Sequence, residues 1–207
     1  TEAELLKCAL HVTDEPKIKV LSCSHIAQLC ERHPTVPQAL GLVSLGPTKS
    51  FDAWKQMLQS EDRPFFADGA RHDLINTIRE RLKNEEGGLI ARILGDSGVG
   101  KSRAVAEALD TEEFRDSTFY APTTDRLDEF LNLFSAHDDL EAVLVVDEVG
   151  ARDVTRLMED VAAASPRIKL ITIGLSSPER LLPGRSDIEL GALEPDAMKK
   201  LVEAELP

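Results

Sequence analysis

Apolar positions in this chain keep two rhythms. After Asp68 or Gly69, either of which can cap a helix, Leu74, Ile75, Ile78 and Leu82 recur at helical spacing. Gly87-Gly88 breaks that pattern, and Leu89-Ile90-Ala91-Arg92-Ile93-Leu94 comes next as an apolar run that predicts a strand. The alternation then continues. Helices are predicted over 101–109, 126–134, 153–164 and 195–205, with a short one near 178–182. Strands are predicted over 117–120, 142–146, 168–173 and 187–190. Leu127, Phe130, Leu131 and Phe134 read as core positions of their helix.

Apolar, β-branched runs separated by amphipathic helices imply a mainly parallel sheet covered on both faces. The expected fold is therefore α/β, in three layers, around a parallel five-stranded sheet.

The chain before this region is less regular. A short β-like run at 17–21 precedes a helical stretch at 24–32. Pro34, Pro37 and Pro47 then punctuate the chain, and a short amphipathic helix lies around 52–58. Ser60-Glu61-Asp62-Arg63-Pro64 is polar and ends in proline, which sets the expected boundary. Residues 1–62 are read as a small α/β N-terminal segment, and 63–207 as the main domain. Trp54, the sole tryptophan, is expected to pack within the N-terminal segment.

Composition narrows the class. Of the 207 residues 42% are hydrophobic, enough for a buried core. Lys and Arg total 24 against 37 Asp and Glu, a formal charge of −13 that argues against broad nucleic-acid binding by this segment. Cys8, Cys23 and Cys30 are odd in number and form no C-x-x-C pair, which suits a reducing, cytoplasmic setting. No apolar run approaches the roughly 20 residues of a membrane span, and the first residues lack the pattern of a signal peptide. A start without Met and an end at Pro207 suggest a piece of a longer protein. Cys23, His25, Cys30 and His33 do not have a standard zinc-ligand spacing and read as ordinary thiols and imidazoles.

One motif carries chemistry. G-x-x-x-x-G-K-[ST] occurs once, from Gly95 to Ser102, with an apolar strand before it and a helix directly after. Gly95, Gly98 and Gly100 allow a tight turn whose N–H groups point inward at phosphate oxygens. The helix starting near Lys101 adds the partial positive charge of its N-terminus. Lys101 can reach the β- and γ-phosphates, and the Ser102 hydroxyl can ligate Mg²⁺. The candidate nucleotide-binding set is Gly95, Asp96, Ser97, Gly98, Val99, Gly100, Lys101, Ser102 and Arg103.

The strand predicted over 142–146 runs into Asp147 and Glu148. Parallel strands deliver their C-terminal ends to the edge where the phosphate loop lies. Asp147 is expected to hold Mg²⁺ through water, and Glu148 to act as general base on the attacking water. Asp147-Glu148-Val149-Gly150 also matches the D-x-x-G of GTPases, but no Asn-Lys-x-Asp comes after it to read guanine, so ATP is the expected nucleotide.

The phosphate loop, the acidic strand end and the strands after it resemble the AAA+ and STAND signalling ATPases, P-loop NTPases of the ASCE type, over about residues 64–207. Phe65-Phe66-Ala67-Asp68-Gly69-Ala70-Arg71 is similar to the aromatic-x-Gly-Arg segment that sits by the adenine in that family, with one extra residue before Arg71. The strand Ile171-Thr172-Ile173-Gly174 resembles the one carrying the family's γ-phosphate sensor, a role open to Thr172 or Ser176. Leu182-Pro183-Gly184-Arg185 resembles the arginine-finger region, so Arg185 either completes a neighbouring subunit's site or is an exposed loop arginine. The resemblance implies a nucleotide-driven oligomerisation switch using ATP, ADP and Mg²⁺, with sensor and effector domains outside this chain. The family's helical lid would come after residue 207. The strand-helix-His-Pro unit at 18–34 is similar to the end of the restriction-endonuclease-like domains that precede STAND modules in some bacterial proteins, which implies antiphage defence. Two other classes stay open on the same fold, a P-loop kinase or GTPase acting on a small substrate, and a binding module that does not hydrolyse.

Overall fold

The computed structural model describes residues 23–39, 41–59, 65–137, 139–176 and 187–205. The expected strand at 17–21, the boundary at 60–64, the short helix near 178–182 and Arg185 lie outside the described residues.

Helices α1 (Cys23–Arg32) and α2 (Thr35–Ala39) lead to strand β1 (Lys49–Ser50) and helix α3 (Phe51–Gln59). Helix α4 (Gly69–Asn84) begins at Asp68, whose side chain accepts a hydrogen bond from the Arg71 N–H at 3.0 Å and so caps the first turn. Strand β2 (Gly88–Leu94), helix α5 (Lys101–Leu109) and strand β3 (Thr118–Ala121) come after it. Next are α6 (Asp128–Ser135), β4 (Ala142–Val146), α7 (Asp153–Ala164), β5 (Ile168–Gly174), β6 (Ile188–Glu189) and α8 (Pro195–Glu205). Helix α6 starts two residues later than its apolar spacing suggests, because Arg126 has φ 59° and cannot belong to a right-handed helix.

The sheet has six strands in the order β1-β3-β4-β5-β2-β6, not the expected five. The five expected strands pair in parallel. The extra one, β1, runs antiparallel to β3 at the edge, with Lys49 opposite Tyr120 and Ser50 opposite Phe119. A strand of two half-buried residues has no alternation to detect, and it forms only because β3 offers an open edge.

Each face of the sheet carries one apolar layer. On one face α3, α4 and α5 bury Phe51, Trp54, Ile78, Leu82 and Leu109 against Ile90, Ile93, Val145 and Ile171. On the other, α6 and α7 bury Phe130, Phe134 and Val161 against Phe119, Leu144 and Leu170. Phe119, Phe130 and Phe134 form an aromatic cluster with centroids 4.6 to 5.9 Å apart. Each such side chain contributes about 1.5–3 kcal/mol by leaving water. Phe51 and Trp54 thus share a core with the sheet that carries the phosphate loop.

The strand order positions the chemistry. β2 ends in the phosphate loop and β4 in Asp147, while β5 lies between them and pairs with both. Both ends therefore reach the same edge, one strand apart.

Candidate phosphate-binding site

At the end of β2 the chain turns sharply. A Cβ on Gly95 would lie 2.3 Å from the Leu190 carbonyl oxygen, so any larger residue would push the loop away from the end of β6. Gly100, at φ 87°, precedes α5 in a left-handed conformation. It provides no side-chain cap, which leaves the first N–H groups of α5 without a side-chain acceptor at the loop. Asp96, Ser97 and Gly98 are exposed at the rim. Lys101 Nζ donates to the carbonyls of Gly95 at 2.8 Å and Asp96 at 2.7 Å, so its charge is held over the loop by weak, exchangeable acceptors. Arg103, also in the expected nucleotide set, runs along its own helix, with Nε 3.0 Å from Glu107 Oε1 and a long bond to the Leu58 carbonyl.

Across β5, Asp147 meets the loop. The Ser102 hydroxyl donates to Asp147 Oδ2 at 2.7 Å, and the Glu148 N–H donates to Oδ1 at 2.8 Å. The Tyr120 hydroxyl approaches Oδ2 at 3.5 Å from the neighbouring strand. Burial, and then the charges of Asp147 and Glu148, push the Tyr120 pKa far above its usual value, so the phenol stays a protonated donor. Glu148 comes next with φ 52°, a left-handed conformation costing about 1–2 kcal/mol in a non-glycine residue. Its side chain is exposed just beyond the end of β4.

The two sensor candidates sit differently. Thr172 is 1% exposed on β5, in register with Arg92 and Val146, and its hydroxyl has no partner. It lies below the edge at which Asp147 emerges. Ser176 lies just after β5, exposed, and donates to Glu189 Oε1 at 3.0 Å.

Sequence reasoning missed the burial of two arginines. Arg92, on β2, places Nη1 3.3 Å from Asp187 Oδ2 at the start of β6. Arg71 is 2% exposed and pairs with Asp68, Nη1 to Oδ2 at 2.6 Å. Its Nη2 donates to the Val99 carbonyl in the phosphate loop and to the Gly191 carbonyl at 3.1 Å. Asp68 Oδ2 also accepts from the Glu194 N–H at 3.1 Å. Burial alone would raise the pKa of Asp68, but hydrogen bonds from Arg71 and Glu194, with the Arg71 charge, outweigh it and hold the carboxyl below its usual 3.8. The aromatic-x-Gly-Arg likeness pointed to Arg71. Its long-range carbonyl partners left no local signal.

No helix among the described residues is long and apolar enough to cross a membrane. No protein family's sequence profile matches the chain, and no curated protein does. Among solved structures, PCH-2 of C. elegans aligns with a TM-score of 0.49 and 11% identity, over 75% of this chain and 51% of that one. This chain spans about half the length of that protein.

Proposed function

We propose that the chain is an ATP-binding and ATP-hydrolysing regulatory module of the AAA+ or STAND kind. The observation that carries this reading is the 2.7 Å bond between Ser102 of the phosphate loop and Asp147 at the end of β4. A hydroxyl and a carboxylate so placed, beside an uncapped helix N-terminus and a lysine on exchangeable acceptors, suit a triphosphate with its cation.

In this reading the loop N–H groups and Lys101 bind the phosphates, Lys101 exchanging the Gly95 and Asp96 carbonyls for phosphate oxygens. Ser102 and Asp147 would hold Mg²⁺, which supplies charge neutralisation when bound. Glu148 takes a proton from the attacking water, whose oxygen forms a bond to the γ-phosphorus as the bond to ADP breaks. Arg185 would complete a neighbouring subunit's site. Binding and turnover then bias assembly of several copies and the state of effector domains beyond residues 63–207, in a cytoplasmic setting and in bacterial antiphage defence. Residues 1–62 would be the end of a preceding domain.

The deciding experiment is direct titration of the purified chain with ATP, ADP and GTP in Mg²⁺, alongside Lys101→Ala. Saturable adenine-nucleotide binding by wild type alone supports the reading. A guanine preference, or equal binding by both proteins, removes it.

A further inference from the structure

Outside the reacting groups, Arg71 and Asp68 form a buried, fully bonded polar cluster. It joins three pieces of chain distant in sequence: the start of α4, the phosphate loop, and the connection from β6 to α8, which it touches at Gly191 and Glu194. Arg71 reaches the Val99 and Gly191 carbonyls with one nitrogen and Asp68 with another. Asp68 passes the link to the Glu194 N–H, one residue before α8. The Glu194 carbonyl in turn accepts from Met198 N–H within that helix, at 2.9 Å. A second contact runs in parallel, because the Leu190 N–H donates to the Leu94 carbonyl at 2.7 Å and Gly95 packs on the Leu190 carbonyl.

We infer that Arg71 is a positioning residue that locks the phosphate loop and the start of α8 into one mechanical unit. The inference builds on the proposed nucleotide site but can be tested without nucleotide. The chemistry favours it for three reasons. A guanidinium is planar and permanently charged, so it can bridge two carbonyls and a carboxylate at fixed angles. The pair is almost wholly buried, with side-chain exposures of 2% and 1%, so water does not compete for these bonds. Arg71 also lies against the loop itself, since a Cβ on Gly100 would stand 3.9 Å from Arg71 Nε. A change of loop conformation that moved the Val99 carbonyl would break or redirect the bond to Gly191, and Asp68 would carry that change to Glu194. The link bypasses the sheet. Occupancy of the phosphate loop therefore becomes legible at the start of α8.

Hydrogen exchange resolved by peptide tests this on the full chain, comparing wild type, Arg71→Lys and Arg71→Ala. Lysine keeps a charge beside Asp68 but cannot bridge both carbonyls. Without nucleotide, Arg71→Lys is expected to speed exchange about tenfold both in the loop at 96–102 and at 194–198, the change that losing one buried hydrogen bond produces, with 142–146 unchanged. Faster exchange at only one of the two sites, at neither, or equally in the 142–146 strand overturns the inference. With Mg-ATP, wild type is expected to slow exchange at both sites. Arg71→Lys should slow it in the loop and leave 194–198 unaltered, and equal slowing at both sites in the variant also overturns it. Arg71→Ala shows whether the fold survives loss of the pair. If it unfolds, Arg71→Lys still decides. If wild type binds no nucleotide, the proposed function fails while the nucleotide-free arms still test Arg71.

Discussion

Trp54 lies flat on Tyr120, with ring centroids 4.6 Å apart and planes 7° apart, and the hydroxyl of Tyr120 reaches toward Asp147. The sole indole of the chain is thereby one residue removed from the carboxylate expected to face the cation. Emission from Trp54 should change when Mg-nucleotide binds. Tyr120→Phe is expected to raise the Mg²⁺ concentration needed for nucleotide binding about two- to fivefold, the share of a weak hydrogen bond of about 0.5–1 kcal/mol. Monitoring that emission during Mg²⁺ titration checks both points, and an unchanged midpoint would remove Tyr120 from the site.

Lys101→Ala takes away the only ammonium bonded to the loop carbonyls among the described residues. Nucleotide affinity is expected to fall about tenfold to a hundredfold, as for the loss of charge-assisted bonds of about 1.5–3 kcal/mol. Calorimetric titration of the two proteins gives the ratio. The same fold stability in both, by thermal melting, would show that the loss is local.

Glu148→Gln separates binding from turnover. The substitution keeps the size of the side chain and its left-handed backbone but removes the base. Phosphate release should drop about 100- to 10,000-fold while the dissociation constant stays within about twofold. Unchanged release from the variant would remove Glu148 as the base, whereas nucleotide binding without release by either protein would make the site a binding module.

Acid should act through Asp68. Its pKa is lowered on folding, so the stabilisation is complete above the unfolded value and disappears as pH falls through the folded one. The melting temperature is expected to fall between about pH 5 and pH 2 by more in wild type than in Asp68→Asn. At neutral pH the variant should already be destabilised by about 3–5 kcal/mol, because Arg71 is left buried without its partner. Denaturant midpoints across that pH range measure both effects. Parallel curves for the two proteins would show that another carboxylate governs.

Much of the fold was legible because its signals are local. Runs such as Ala142–Val146, buried along their whole length, read as strands from composition alone. The loop from Gly95 to Ser102 reads from its glycines and lysine, and Asp68 was one of two candidate helix caps, with Gly69. The hidden part depends on distant chain. Lys49–Ser50 becomes a strand through the edge of β3. Trp54 belongs with Tyr120, 66 positions away by number, and no spacing within 52–58 announces that. Arg71 and Arg92 look like solvent-facing charges in a sequence, and only the assembled sheet supplies the acceptors that let them be buried. Thr172 and Ser176 look alike in the sequence, and only the folded chain separates them, one buried on β5 and the other exposed just after it.

Strand β5 sets the gauge of the site. The phosphate loop and Asp147 hang from strands two positions apart, a separation of about 9.5 Å that is fixed by backbone hydrogen bonding. No side chain determines that width. Nearly every residue of β2, β4 and β5 could therefore be exchanged for another apolar one while Ser102 and Asp147 kept their distance. The width between the loop and the carboxylate is thus a property of the main chain, set before any side chain of the three strands is chosen.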